Sequence, residues 1–472
     1  MICIGSGPAG ENAAVLAAKR GYRVAIVEGE GHPGGAMVNT GTVASKVLRE
    51  TAILCSAFRK RPVPGIDPEI DRTVSFDQFL ARTTLVQIEE HDRIELDLDR
   101  ADVDVIRGWG RLDGYQKVAV DTPDGRCLRL QSPRILLAVG SRPNRPEHLD
   151  FDHPAIVDST GILSLSRMPR SLTVIGGGVI GSEYASIFAQ MGVETTLVES
   201  RSTIMRFLDE ECRDCLIDQM KEAGVRFRFS TETSEVVGLD DGRARITFTD
   251  GETHESDVVL WAMGRNGNTG RLGLDTVGLE TNGRGLLKVD HHYRTMVPGV
   301  WATGDVIGFP ALASTSLEQS RLAVENMFDE IAEGRSGGLL PMGVYTIPAI
   351  AAVGDNEEEL RRQGHELLTS SASYRRNARG RMLGDDRGQL KLVFDARDGR
   401  LLHTTVVGED ATELIHLGML MIAERWTAED IAAAPFNYPS LCELYKTAAT
   451  EAADRMQRLG TKPLRDRHER AA

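Results

Sequence analysis

The sequence predicts an α/β protein: two dinucleotide-binding, Rossmann-like domains followed by a C-terminal α+β domain. Three observations carry this. A G-x-G-x-x-G turn, Gly5-Ser6-Gly7-Pro8-Ala9-Gly10, follows an apolar strand and opens a helix. A second one, Gly176-Gly177-Gly178-Val179-Ile180-Gly181, does the same far downstream. After the Gly/Ser-rich stretch at 334–338 the pattern changes to mixed strands and helices.

In the first unit, Met1-Ile2-Cys3-Ile4 is a strand, short for the centre of a parallel sheet. The helix after it has a small packing face of Ala13, Ala14, Ala17 and Ala18 and ends at Gly21. Residues 22–27 form the next strand, closed by Glu28. The glycines let the backbone approach a pyrophosphate, and the helix N-terminus supplies N–H donors and positive potential. An acid at this offset accepts from ribose hydroxyls.

Residues 43–100 read as helices joined by the Pro-rich link at 61–65, and residues 103–131 as an antiparallel meander turning at Asp124-Gly125. Residues 134–143 are a buried strand ending in Gly140 and Pro143. The second unit repeats the plan. Strand 172–175 leads into the second glycine turn, a helix over 182–191, Gly192, and strand 195–198 closed by Glu199. Residues 258–265 end it, through Gly264 and Arg265. Residues 299–305 form a strand ending in Gly304-Asp305, with a helix over 314–332. Beyond the linker, strands are expected near 344–353 and 389–395 and helices near 410–424 and 427–433; residues 461–472 are a polar tail. The expected domains are 1–145 with 270–335, then 146–269, then 340–460.

Composition limits the function. The net charge of −14 argues against nucleic acid or an anionic membrane as partner. No apolar run reaches the roughly 20 residues of a membrane span, and no basic-then-apolar leader opens the chain, so a cytoplasmic protein is expected. The six cysteines are scattered, which does not suggest a disulfide framework. Cys212 and Cys215 form a C-x-x-C, but within a helical stretch and without a second ligand pair, so no metal is expected there. His291, His292 and His416 read as structural or surface residues.

Taken together, both glycine turns, the Ala302-Thr303-Gly304-Asp305 segment and the C-terminal region resemble the flavoprotein disulfide reductases, the lipoamide dehydrogenase and glutathione reductase group. The resemblance covers nearly the whole chain. It implies FAD on the first unit, NAD(H) or NADP(H) on the second, and a homodimer or higher homo-oligomer built through the C-terminal domain. It also implies site residues. Gly5, Gly7, Gly10 and Glu28 would hold the ADP half of FAD, with Gly35, Gly110 and Gly140 lining its cleft and Asp305 near the ribityl–pyrophosphate. Lys46 would sit by flavin N5 with Glu183 as its carboxylate partner; the plain alternative is a surface lysine and a helix-surface acid. Gly176, Gly178, Gly181, Glu199 and Gly264 would hold the nicotinamide nucleotide. Arg201 would pair with a 2′-phosphate, or remain solvated beside an NAD-preferring Glu199.

The departures from the resemblance matter most. Disulfide reductases carry Cys, four residues, Cys in the stretch 34–46; here those positions hold Met37 and Thr42, neither of which forms a thiolate. Their histidine base is replaced by Tyr438 in Phe436-Asn437-Tyr438-Pro439. Tyrosine, with a pKa of about 10 against about 6.5, is a poor base for a thiol. Segments 41–46, 304–308, 345–348 and 436–439 are similar to those of the soluble pyridine nucleotide transhydrogenases, although that group commonly keeps the first cysteine. The implied activity is FAD-dependent hydride transfer between NADPH and NAD⁺, by a ping-pong mechanism without a redox disulfide. The alternative is an NAD(P)H:quinone reductase or diaphorase of the same fold.

Overall fold

Short apolar runs bounded by glycine become the centres of two parallel sheets. The computed structural model describes residues 1–60, 76–328 and 339–460. In the first sheet the order is Val300–Ala302, Ile135–Leu137, Ile2–Ile4, Ala25–Glu28, Asp104–Arg107, all parallel. Ile2–Ile4 is only three residues long, yet every one of them is buried and paired on both sides. The second sheet repeats the order with Val225–Arg228, Glu194–Val198, Ser171–Ile175, Val258–Trp261 and Ile156–Val157, also parallel. In both, the strand before the glycine turn is central. Its sequence neighbour lies on one side and a returning strand on the other. That reversal opens a crevice at the carboxyl ends of the strands.

Each unit carries a three-stranded antiparallel meander before its returning strand. In the first it is Trp109–Leu112, Lys117–Asp121 and Cys127–Gln131, and in the second Thr233–Gly238, Ala244–Phe248 and Thr253–Ser256. The meander expected over 103–131 is therefore shorter than its alternation suggests. Asp104–Arg107 is the parallel edge strand of the first sheet, and an edge strand alternates too. Gly108, at φ +149°, makes the break, since a Cβ there would lie 2.7 Å from the Asp121 carbonyl oxygen.

Two long helices, Thr42–Lys60 and Phe76–Arg100, pack beside the first unit, and Ala313–Met327 follows its last strand. The Pro-rich link at 61–65, residues 329–332 of the expected helix, the linker at 334–338 and the polar tail lie outside the described residues.

The C-terminal domain is a five-stranded antiparallel sheet in the order Met342–Val344, Ala349–Val353, Leu401–Gly408, Gln389–Asp395, Leu367–Ser373. The single strand expected at 344–353 is split in two. Pro348, without an N–H, cannot serve a ladder, and the chain turns at Tyr345-Thr346-Ile347-Pro348. Helices Ala411–Ala423, Ala428–Ala433 and Glu443–Leu459 cover the sheet, and Thr427 with Asp430 forms a capping box at the second. Tyr445, Ala448, Ala449 and Ala452 of the last helix are fully buried in the core.

One ion cluster ties the second unit to this sheet. Lys391 Nζ lies 2.7 Å from Asp209 Oδ2 and 2.7 Å from Glu357 Oε1, and Asp209 also caps helix Glu210–Glu222 by accepting from the Cys212 N–H at 3.1 Å. Burial pushes the Asp209 carboxyl up, but the Lys391 and Cys212 bonds outweigh it and hold the group below the usual carboxylate range. Lys391→Met should destabilise the protein by about 3–5 kcal/mol, because it leaves a buried carboxylate unpaired. Denaturation midpoints check this: the Lys391→Met/Asp209→Asn double variant should recover part of the loss.

Candidate functional site

The two glycine turns are built alike. Gly5 (φ +101°) and Gly176 (φ +107°) turn where no side chain fits: a Cβ would lie 2.4 Å from the Ala138 carbonyl oxygen and 2.7 Å from that of Ala262. On Gly10 and Gly181 it would lie 1.9 Å from the carbonyl oxygens of Gly5 and Gly176. The first and third glycines thus close the strand-to-helix packing. The middle ones face open space: Gly178 has nothing within 4 Å, and Gly7 only the Cα of Gly35 at 3.8 Å. Each turn therefore leaves a cradle at a helix N-terminus, of the kind that accepts a phosphate group.

An acid closes each cradle. Glu28 Oε2 accepts from the Ser6 N–H at 3.0 Å and from the Ser6 hydroxyl, while Oε1 accepts from the Glu30 N–H at 2.6 Å. Glu199 Oε2 accepts from the Gly177 N–H at 2.8 Å, and Oε1 from the Arg201 N–H at 3.0 Å and Ser200 Oγ at 3.2 Å. Both carboxylates are buried and held by backbone donors. Arg201 itself is exposed.

The remaining predicted residues surround these cradles. Gly35 (φ +55°) presses on the first turn, its Cβ position 2.8 Å from Gly7 Cα. Asp305, in the turn Gly304–Ile307, accepts from Ser141 Oγ at 2.7 Å, one residue past Gly140. Arg265 Nε donates to the same Ser141 oxygen at 2.7 Å, and its Nη2 donates to the Ser141 carbonyl at 2.6 Å. Neither Ser141 nor Arg265 was anticipated in the site; their adjacency to Gly140 and Gly264 was the available signal. Gly110 has a packing reason of its own, since a Cβ there would meet Ile4 and Val27 at 3.0 Å. Gly264 sits at φ +89° with its Cβ position 3.4 Å from Arg284.

The stretch 34–46 forms a short helix, Gly35–Asn39, and the start of Thr42–Lys60. Met37 packs against the core of the first unit, and Thr42 is exposed. None of the six cysteines is joined in a disulfide. Burial pushes the Cys3 thiol up to about 12 and raises those of Cys212 and Cys215 as well. Among the described residues no group of three or more possible ligands could hold a metal ion.

Lys46 and Glu183 do meet. Lys46 Nζ is 2.6 Å from Glu183 Oε2, and Glu183 Oε1 accepts from the Tyr345 N–H at 2.8 Å. The ammonium also lies 5.0 Å from the centre of the Tyr345 ring, within cation–π range. Arg49 and Ser186 reinforce the contact: Arg49 Nε donates to the Thr346 carbonyl at 3.1 Å, and Ser186 Oγ accepts from the Ile347 N–H at 3.0 Å. The Tyr345 backbone contribution was not anticipated, because a main-chain donor carries no side-chain signature.

Two parallel-sheet nucleotide folds in tandem, each with an acid-closed glycine cradle, define an oxidoreductase of the pyridine nucleotide type. Residues 1–320 match the pyridine nucleotide-disulphide oxidoreductase family and residues 340–449 the dimerisation domain of that family, so the chain belongs to it. The chain is 39% identical, over 97% of its length and 98% of the relative's, to a soluble pyridine nucleotide transhydrogenase of Mycobacterium bovis. It is 38% identical over 97% and 98% to one of Chromohalobacter salexigens. Among solved structures it is similar to LpdA of Mycobacterium tuberculosis (TM-score 0.88, 28% identity, 95% of this chain and 99% of that one). It is also similar to the HOCl-induced flavoprotein disulfide reductase RclA of Escherichia coli (TM-score 0.85, 25% identity, 95% and 99%). No described helix is long and apolar enough to cross a membrane.

The unequal roles of the glycines are testable through stability. Gly181→Ala should lower stability by about 2–3 kcal/mol, because backbone must move to admit the methyl group. Gly178→Ala, with open space before it, should cost no more than about 1 kcal/mol, the scale of a weakened N-cap. Thermal midpoints of the two variants compare them directly.

Proposed function

We propose that the protein is a cytoplasmic, homodimeric transhydrogenase that uses FAD to move hydride between NADPH and NAD⁺, by a ping-pong mechanism without a redox disulfide. The observation that carries this reading is the pairing of Lys46 with Glu183 next to a stretch whose two sulfur positions hold Met37 and Thr42. The names of the relatives point the same way.

The first cradle fits FAD. Gly5, Gly7, Gly10 and Glu28 would hold its ADP half, and Gly35, Gly110, Gly140, Lys46 and Asp305 the rest. Bound FAD supplies two-electron hydride chemistry that no side chain of the protein offers. Gly176, Gly178, Gly181, Glu199, Arg201 and Gly264 would hold the nicotinamide nucleotide. NADPH and NAD⁺ occupy this one site in turn, NADP⁺ leaving before NAD⁺ enters.

Lys46 contributes a fixed positive charge. Its Nζ is held by Glu183, whose second oxygen is locked by Tyr345, so the ammonium cannot swing away. A preorganised charge of this kind stabilises negative charge that develops beside it at no reorganisation cost. Glu199 favours a ribose 2′-hydroxyl, and the exposed Arg201 adds a partner for a 2′-phosphate. Together they give a site that accepts both nucleotides.

Purified holoenzyme given NADPH and thio-NAD⁺, with no quinone present, should reduce the thionicotinamide. Fast quinone reduction without thionicotinamide reduction would mark a quinone reductase instead. Lys46→Met should slow turnover by about 10- to 100-fold. Arg201→Ala should raise the KM for NADPH by about tenfold while leaving that for NADH unchanged; steady-state kinetics with each nucleotide checks both.

A further inference from the structure

Loops that pack beside the two glycine turns meet through a pair of aromatic rings. The turn Gly304–Ile307 rests on the first cradle, since a Cβ on Gly304 would lie 3.2 Å from Ala9 Cβ. Phe309 follows that turn. At 77% it is the most exposed large apolar side chain among the described residues. On the other side, loop 201–208 rests on the second cradle. The Met205 N–H donates to the Gly177 carbonyl at 3.3 Å, and a Cβ on Gly177 would meet Ile204 at 2.5 Å. Met205 is a non-glycine residue at φ +39°, a strained conformation that persists only where surrounding contacts impose it. Phe207, two residues later, meets Phe309 with ring centroids 6.4 Å apart and planes at 57°. Met263 borders the same region: it is 42% exposed, and a Cβ on Gly176 would lie 3.1 Å from its sulfur.

We infer that Phe207 and Phe309 form an aromatic clasp over the nicotinamide nucleotide where it passes from the second glycine turn to the first. The inference rests on the functional reading above, in which the second cradle holds that nucleotide. A nucleotide anchored there can deliver its ring to the first unit only by crossing between the two turns, and the rings stand at that crossing. Laying the nucleotide against Phe309 removes exposed apolar surface from water and adds contact with a π face. The rings carry no charge, so they hold the two nucleotides equally; discrimination between them stays with Glu199 and Arg201. Phe309 is thus a positioning residue that sets affinity for both.

The test is calorimetric titration of the oxidised holoenzyme with NAD⁺ and with NADP⁺, alongside its elution volume on size exclusion. Phe309→Ala, at an exposed position, should weaken both nucleotides by about five- to tenfold and by the same factor. Phe309→Tyr should stay within about twofold of wild type, because it keeps the ring. Elution should not change. Equal binding by Phe309→Ala and wild type overturns the clasp alone, and so does weakening of only one nucleotide. A changed elution volume overturns it by assigning Phe309 to a contact between copies of the chain. Wild-type holoenzyme that binds neither nucleotide overturns the functional reading, and the clasp with it.

Discussion

Glu183 is a buried acid with both oxygens engaged, one by the Lys46 ammonium and the other by the Tyr345 N–H. Its three participants come from different parts of the chain. Lys46 lies on the helix that begins in the stretch 34–46, and Glu183 on the helix that begins at the second glycine turn. Tyr345 belongs to the turn that splits the first hairpin of the C-terminal domain. A buried carboxylate is costly to leave unpaired, so each partner constrains the other two. The helices Thr42–Lys60 and Val179–Gln190 and the C-terminal domain are thereby held in register at one point. The same constraint fixes a cation at the edge of the proposed flavin cleft.

Around that point the fold keeps the architecture of its family, with Met37 and Thr42 in the stretch 34–46. Gly34 at φ +100° and Gly35 at φ +55° preserve a turn that presses on the first cradle. Met37 is turned to account as packing, joining the core that includes Cys3 and Ala13. Burial holds Cys3 and Cys212 protonated through the neutral range. The second unit is joined to the C-terminal sheet by the Lys391 cluster, independently of Lys46. The proposed site therefore has a frame fixed at two separate points.

The glycine turns, Glu28 and Glu199 were legible because their geometry is local: a few consecutive residues set strand, turn and helix, and the acid follows at a fixed offset. Contacts between distant segments were not legible that way. Lys46 and Glu183 were paired only through resemblance, and the Tyr345 and Ser141 contributions emerged only from the structure. Periodicity misled at Asp104–Arg107, where an edge strand alternates like a meander, and at 344–353, where Pro348 interrupts an apolar run that looks continuous. The strands Leu367–Ser373 and Leu401–Gly408 and the helix Glu443–Leu459 carry no clear signal in the sequence. The first alternates over serine and threonine and the second is almost wholly buried, which blurs the period-two signal.

Under the proposed function this protein carries out its redox chemistry without a dithiol. The most direct test is an anaerobic reductive titration of the FAD-loaded protein, followed by thiol quantification with a chromogenic disulfide. Complete bleaching is expected after about two electrons per flavin, the capacity of the flavin alone, with no change in thiol content. Uptake of about four electrons per flavin, with two new thiols appearing, would contradict it.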